Sequence, residues 1–150
     1  GHAAACEVLA AAGADVDAAD AERARPLHRA AACGAAAACQ MLAEYGADLE
    51  ARDSSRHTPL HSACQEGHLD AARALLDAGA SAAAGARGLT PLHLAAELGH
   101  WPLCELLVQF GADPAAGEAS TGVPSPAAMA RRGNHAELAA LLEAWAQPQQ

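Results

Sequence analysis

The residues able to do chemistry in this chain are histidines, cysteines and carboxylates, and their spacing decides which chemistry is open to them. His57 and His61 have the H-x3-H spacing of a zinc-ligand pair. Zinc needs further ligands in a tetrahedral set, yet no two cysteines stand at a matching short spacing. A helix starting at Thr58 would also put the two imidazoles on different faces. His61 and Cys64 are close enough in sequence for a thiolate–imidazole couple. Such a couple needs a cleft, an orienting third group and an electropositive setting, whereas both residues read as inward-facing. Gly85-Ala86-Arg87-Gly88 lacks the lysine of a phosphate loop. Asp15, Asp48 and Asp113 each follow a Gly-Ala pair, and Asp20 and Asp53 recur one period apart, as turn-forming carboxylates do. No active site, metal site or cofactor site is expected, and the chain reads as a non-enzyme.

The histidines are better explained by where they recur. Thr58-Pro59-Leu60-His61-Ser62-Ala63 returns as Thr90-Pro91-Leu92-His93-Leu94-Ala95 and, altered, as Arg25-Pro26-Leu27-His28-Arg29-Ala30. Each copy is followed by a glycine (Gly34, Gly67, Gly99) and then by a Gly-Ala pair at Gly46, Gly79 and Gly111. Gly1, Gly34, Gly67, Gly99 and Gly133 are separated by 33, 33, 32 and 34 residues. A period of this size means one supersecondary unit stacked several times. The register gives a half repeat over 1–20, repeats over 21–52, 53–84 and 85–116, a divergent capping repeat over 117–147 and a frayed tail over 148–150, all in one domain. Threonine suits the helix N-cap and proline the first helical position. Leucine then starts the buried stripe, and glycine ends the helix. A second helix follows, carrying Leu75-Leu76 or Leu106-Leu107.

In motif, period and glycine phase the chain resembles the ankyrin repeat along nearly its whole length. The resemblance implies an all-α solenoid of stacked helix–loop–helix units with hairpin-like fingers between them. It implies that His28, His61 and His93 form a column bonded to the motif threonine and nearby backbone. His2, His68 and His100 mark the turn between helices, which leaves His57 and His135 irregular. It also implies that partners meet the finger tips and the exposed side of the first helices, the concave face. Here those positions are Arg29, Arg56, His57, Ser62, Gln65, Glu66, Arg87, Leu89, Leu94, Glu97, Leu98 and Arg131. Eight of the nine arginines fall in fingers or first helices, Arg73 being the exception. Two readings stay open: they receive a partner with acidic or carboxylate groups, or they balance Asp20, Glu22, Glu50 and Asp53. Leu89, Leu94 and Leu98 could form an apolar contact patch, and Trp101 is expected to cover the turn end of the stack.

The ends depart from the pattern. Gly1 falls inside a repeat, so an apolar face is expected to be left open and the chain to be a fragment or to have lost what preceded it. Residues 1–12 carry Glu7 and no basic leader, and read as second-helix structure. Placed by Gly133, Pro126 takes the leucine position and the last first helix starts late. Net charge of −9 disfavours nucleic-acid and anionic-membrane binding. No apolar run approaches the ~20 residues of a membrane span. Cys6, Cys39 and Cys104 share an inward second-helix position, Cys64 takes an inner one, and Cys33 precedes a turn. An odd, register-locked set points to a reducing, intracellular setting, cytoplasmic or nuclear. The expected function is a monomeric protein–protein interaction module. The alternative is a targeting or regulatory segment of a larger enzyme, channel or ubiquitin-ligase adaptor.

Overall fold

The computed structural model describes residues 4, 8, 10–86, 88–117 and 122–147. Arg87, His2, Cys6, Glu7 and the tail from 148 lie outside the described residues. The expected all-α repeat architecture is observed. Eight complete helices occur among the described residues, and the only strand-like pairing there is an isolated bridge between Ala86 and Leu89. The chain forms two compact units, Gly1–Ser81 and Ala82–Gln150. The first holds α1 (Pro26–Ala32), α2 (Ala36–Glu44), α3 (Pro59–Glu66) and α4 (Leu69–Asp77). The second holds α5 (Pro91–Glu97), α6 (Trp101–Gln109), α7 (Pro126–Arg132) and α8 (Ala136–Ala146).

The first helix of every repeat starts on proline, preceded by an extended residue, as the proline ring requires of its neighbour. In α1, α3 and α5 the third helical residue is histidine, which folds back onto the start of its own helix. His61 Nδ1 accepts the Thr58 amide at 3.2 Å, and His93 Nδ1 accepts that of Thr90 at 3.0 Å. This is the back-reaching half of a capping box, with imidazole in the place of glutamate. α7 lacks the histidine and is capped by Ser125, whose Oγ accepts the Ala128 amide at 3.3 Å. Leu27, Leu60, Leu42 and Leu75 are buried in the first unit, as are Leu92, Leu107 and Leu142 in the second. Fully buried alanines beside them (Ala31, Ala63, Ala71, Ala72, Ala95, Ala96) let the helices approach closely. Within the first unit α1 packs on α3 and α2 on α4; within the second, α5 packs on α7.

Polar tethers join the repeats of the first unit. The Asp17 carboxylate accepts the Asp48 amide at 3.2 Å, and one period later Glu50 accepts the Ser81 amide at 2.8 Å. The third occupant of that position is Ala83, which has no carboxylate. The fingers are Asx turns, as the recurring aspartates predict. Asp20 Oδ1 accepts the amides of Glu22 and Ala24, and Asp53 Oδ1 those of Ser55 and His57, all at 2.8–2.9 Å. Such a turn needs one residue with positive φ. That residue is Arg23 (φ 59°) in the first finger and Arg56 (φ 70°) in the second, and Gly88 (φ 86°) holds the same position, three before the helix proline, in the third. An L-residue other than Gly, Asn or Asp pays about 1–2 kcal/mol there, so two arginines occupy a position that glycine fills without strain.

The last repeat corrects the register. α7 begins at Pro126 and α8 at Ala136, so Pro126 takes the proline position of Pro26, Pro59 and Pro91, and the helix does not start late. The left-handed residue two before the second helix is Gly34, Gly67, Gly99 and then Asn134 (φ 64°), not Gly133. Gly133 is a glycine for another reason: a Cβ there would fall on the Glu97 carbonyl oxygen. The one-residue shift also makes His135 regular, at the same repeat position as His68 and His100. α8 runs two residues beyond its counterparts, and Ala146 stands where Gly46, Gly79 and Gly111 stop the earlier second helices. Gly133→Ala should therefore lower stability by about 2 kcal/mol or more, and Arg56→Gly should raise it by about 0.5–1 kcal/mol. Urea denaturation of both variants checks the pair.

Candidate functional site

The repeated histidines are used within the scaffold. Because Nδ1 of His28, His61 and His93 accepts a backbone amide, it carries no proton, and the proton sits on Nε2. His28 Nε2 accordingly donates to the His57 carbonyl at 3.0 Å, reaching the next finger. The Thr58 and Thr90 hydroxyls donate to the same Nδ1 atoms at 2.8 Å, as the threonine–histidine bond implied by the family resemblance requires. His68 donates from Nε2 to the Ala32 carbonyl at 3.1 Å, and its ring fills the space over Gly34. The His135 ring covers Gly99 in the same way in the second unit.

His93 is the exception. Its ring is buried and Nε2 has no hydrogen-bond partner among the described residues. The carbonyls of Ala116 and Pro124 lie near enough to favour protonation, but not in bonding geometry. Burial outweighs them and holds its pKa below the ordinary imidazole value.

The cysteines follow the same pattern. Cys39, Cys64 and Cys104 are buried thiols, none in a disulfide, and Cys33 is exposed. Desolvation pushes the Cys39 thiol up to about 11 and the Cys104 thiol up to about 12, so neither forms a nucleophilic thiolate near neutral pH. No group of three or more metal-ligating side chains is assembled among the described residues. The H-x3-H pair does converge, contrary to the expectation of different faces: the His57 and His61 rings stack with centroids 5.4 Å apart and planes 8° from parallel. His61 Nδ1 is already committed to Thr58, and the face-to-face stacking is not the arrangement of two ligands on one ion.

The expected contact residues divide into those the scaffold uses and those it leaves free. Arg29 pairs with Asp20 at 2.7 Å and Glu22 at 3.1 Å, and the guanidinium holds the Asp20 carboxyl below its usual range. Arg25 pairs with Asp17 and Asp48. For these two arginines the charge-balancing reading applies. Arg56, by contrast, is exposed and its side chain has no partner among the described residues; the same holds for Arg23, which residue type alone did not single out. Their shared left-handed conformation, one period apart, is the signal that finds both. Gln65 and Glu66 are exposed on α3, and Ser62 and His57 are half-buried beside them. In the second unit Leu98 is 46% exposed, whereas Leu89 and Leu94 are half-buried, so the apolar patch is narrower than the three leucines imply.

Arg131 is a correction. The register shift puts it at the position of Ala31, Cys64 and Ala96, facing the second helix, and it pairs with Glu143 of α8. Arg132 takes the outward position instead, 4.0 Å from half-buried Glu97. Trp101 is half-exposed and lines an open groove of about 420 Å³ with Asn134, His135 and Glu137, at the turn end of the second unit where it was expected.

No helix among the described residues is long and apolar enough to cross a membrane. Among known families, a model of three ankyrin-repeat copies matches residues 50–118, and one of many copies matches residues 9–60. A comparison with curated proteins finds no match.

The buried imidazole of His93 makes stability depend on pH with a defined sign. Its folded pKa lies below the ordinary value of about 6.5, so the unfolded chain binds more protons. The contribution to stability is complete above about pH 7 and falls as pH drops through 6.5. The urea midpoint should decline from pH 7 to pH 5, and His93→Gln should show a shallower decline. An unchanged slope in the variant would assign the effect elsewhere.

Proposed function

The chain belongs to the ankyrin-repeat family, whose members generally serve as protein–protein interaction modules and are typically non-enzymatic, and from this we propose that it binds another protein through the side formed by its fingers and first helices. One observation carries the reading. The residues that are constant from repeat to repeat face inward and are used, while those that vary are on the exposed side of the first helices. Arg29, Ser62 and Leu94 share one such position, and Cys33, Glu66 and Leu98 another. A rigid frame with interchangeable exposed side chains suits recognition. It does not suit catalysis, which needs titratable groups held together in a cleft.

Binding on this surface needs little rearrangement, because the fingers are held by their own Asx bonds and by tethers to the next repeat. The proposed partner is a protein; a chain of net charge −9 does not suit nucleic acid or an anionic membrane. The same reading holds for a segment of a larger protein, where the module would bring a separate activity to its target.

A photo-crosslinking amino acid placed singly at Gln65 or Leu98, and at Arg73 or Glu105 on the outer second helices, tests which side is used. The first pair should capture a discrete protein partner that the second pair does not. Capture only from Arg73 or Glu105 would move the interface to the other side and sink the proposal.

A further inference from the structure

The tips of the first two fingers combine strain with unused charge. Arg23 and Arg56 both hold positive φ at the position where Gly88 stands in the third finger. Both side chains are exposed, and neither has a hydrogen bond or ion pair among the described residues. The tips adjoin, since the Ser54 amide donates to the Glu22 carbonyl at 2.9 Å. The strained tip of the second finger is braced by Arg52, whose Nη1 donates to the Arg56 carbonyl at 2.9 Å. The nearby carboxylates are already engaged: Asp20 and Glu22 hold Arg29, and Asp53 holds the amides of Ser55 and His57. In a chain of net charge −9, these segments carry Arg23, Arg25, Arg29, Arg52 and Arg56 against Asp20, Glu22 and Asp53. Backbone strain persisting at two equivalent positions, with the charged side chains left free, marks a functional constraint rather than a scaffold need.

We propose that Arg23 and Arg56 together receive an acidic, extended segment of a protein partner, one guanidinium per carboxylate. This deepens the proposal that the finger side is the binding side, and rests on it. Packed helices lie about 8–10 Å apart, and an extended chain rises about 3.3 Å per residue. The fitting segment therefore presents carboxylates about three residues apart. Arginine suits this role because its planar fork matches a carboxylate in two-point contact.

The probe is a synthetic peptide of four Glu-Gly-Ser repeats, titrated into the full 15N-labelled chain, with a Gln-Gly-Ser peptide as control. The glutamate peptide should give saturable shifts confined to residues 20–24 and 53–57, weakening as salt rises. The glutamine peptide should give none. Arg23→Gln/Arg56→Gln, which removes the charge and keeps a polar side chain, should weaken binding about tenfold. Arg23→Lys/Arg56→Lys, which keeps the charge but loses the fork, should fall between the wild type and the glutamine variant. Absence of saturable binding, or equal binding by the glutamine variant, overturns the assignment. Repeating the crosslinking at Gln65 in the Arg23→Gln/Arg56→Gln background separates the two proposals. Undiminished capture there would overturn the arginine assignment while leaving the finger side as the interface.

Discussion

A helix of seven to nine residues does not hold together alone in water, where about 12–15 residues are needed even for favourable sequences. Seven of the eight helices described here are of that length. Their stability has to come from packing on another helix of their own repeat or of the next. This dependence sets most of the other features. It favours alanine at contact positions, so that axes approach closely, and leucine where the gap must be filled. It also requires that helix ends be closed locally, because each short helix has proportionally many unpaired amides and carbonyls. Proline at the start, a left-handed residue at the stop and an imidazole folded back on the first turn meet that requirement at small cost in length.

The histidines show how far chemistry can be read from residue type. An imidazole near a cysteine and another imidazole is, in isolation, a candidate for metal binding or catalysis. Here Nδ1 is occupied by an amide and a hydroxyl, and in His28 Nε2 is occupied by a carbonyl of the following finger. What remains is a rigid connector. His93 shows the consequence when the carbonyl fails to arrive: the ring keeps its place and its first-turn bonds, but becomes a buried group that resists protonation.

Much of this was legible in the sequence. The Thr-Pro-Leu-His strings and the glycine phase gave the helix starts of the three regular repeats, and the recurring aspartates gave the Asx turns. The last repeat was misread by one residue because glycine was equated with left-handed backbone. Gly133 is there to admit the Glu97 carbonyl, and Asn134 makes the turn. That difference depends on which backbone passes close by, which local sequence does not encode. The error carried Arg131 onto the wrong face. Within the candidate surface, exposed and buried positions of the first helices followed the repeat, but the ion pairs of Arg25 and Arg29 did not, since they depend on where long side chains settle between fingers. Arg23 was counted among the finger arginines but not among the contact positions, because arginine is not a turn residue by type; its alignment with Arg56 and Gly88 singles it out.

The tethers between repeats share a property that bears on how such a chain evolves. Asp17 and Glu50 bind main-chain amides, and His28 and His68 donate to main-chain carbonyls. On the receiving side no particular side chain is needed. A repeat can therefore be duplicated, deleted or exchanged for another of the same length, and the junction still closes. Side-chain identity on the receiving repeat is free to drift, and whole repeats become the currency in which the array lengthens, shortens and diversifies.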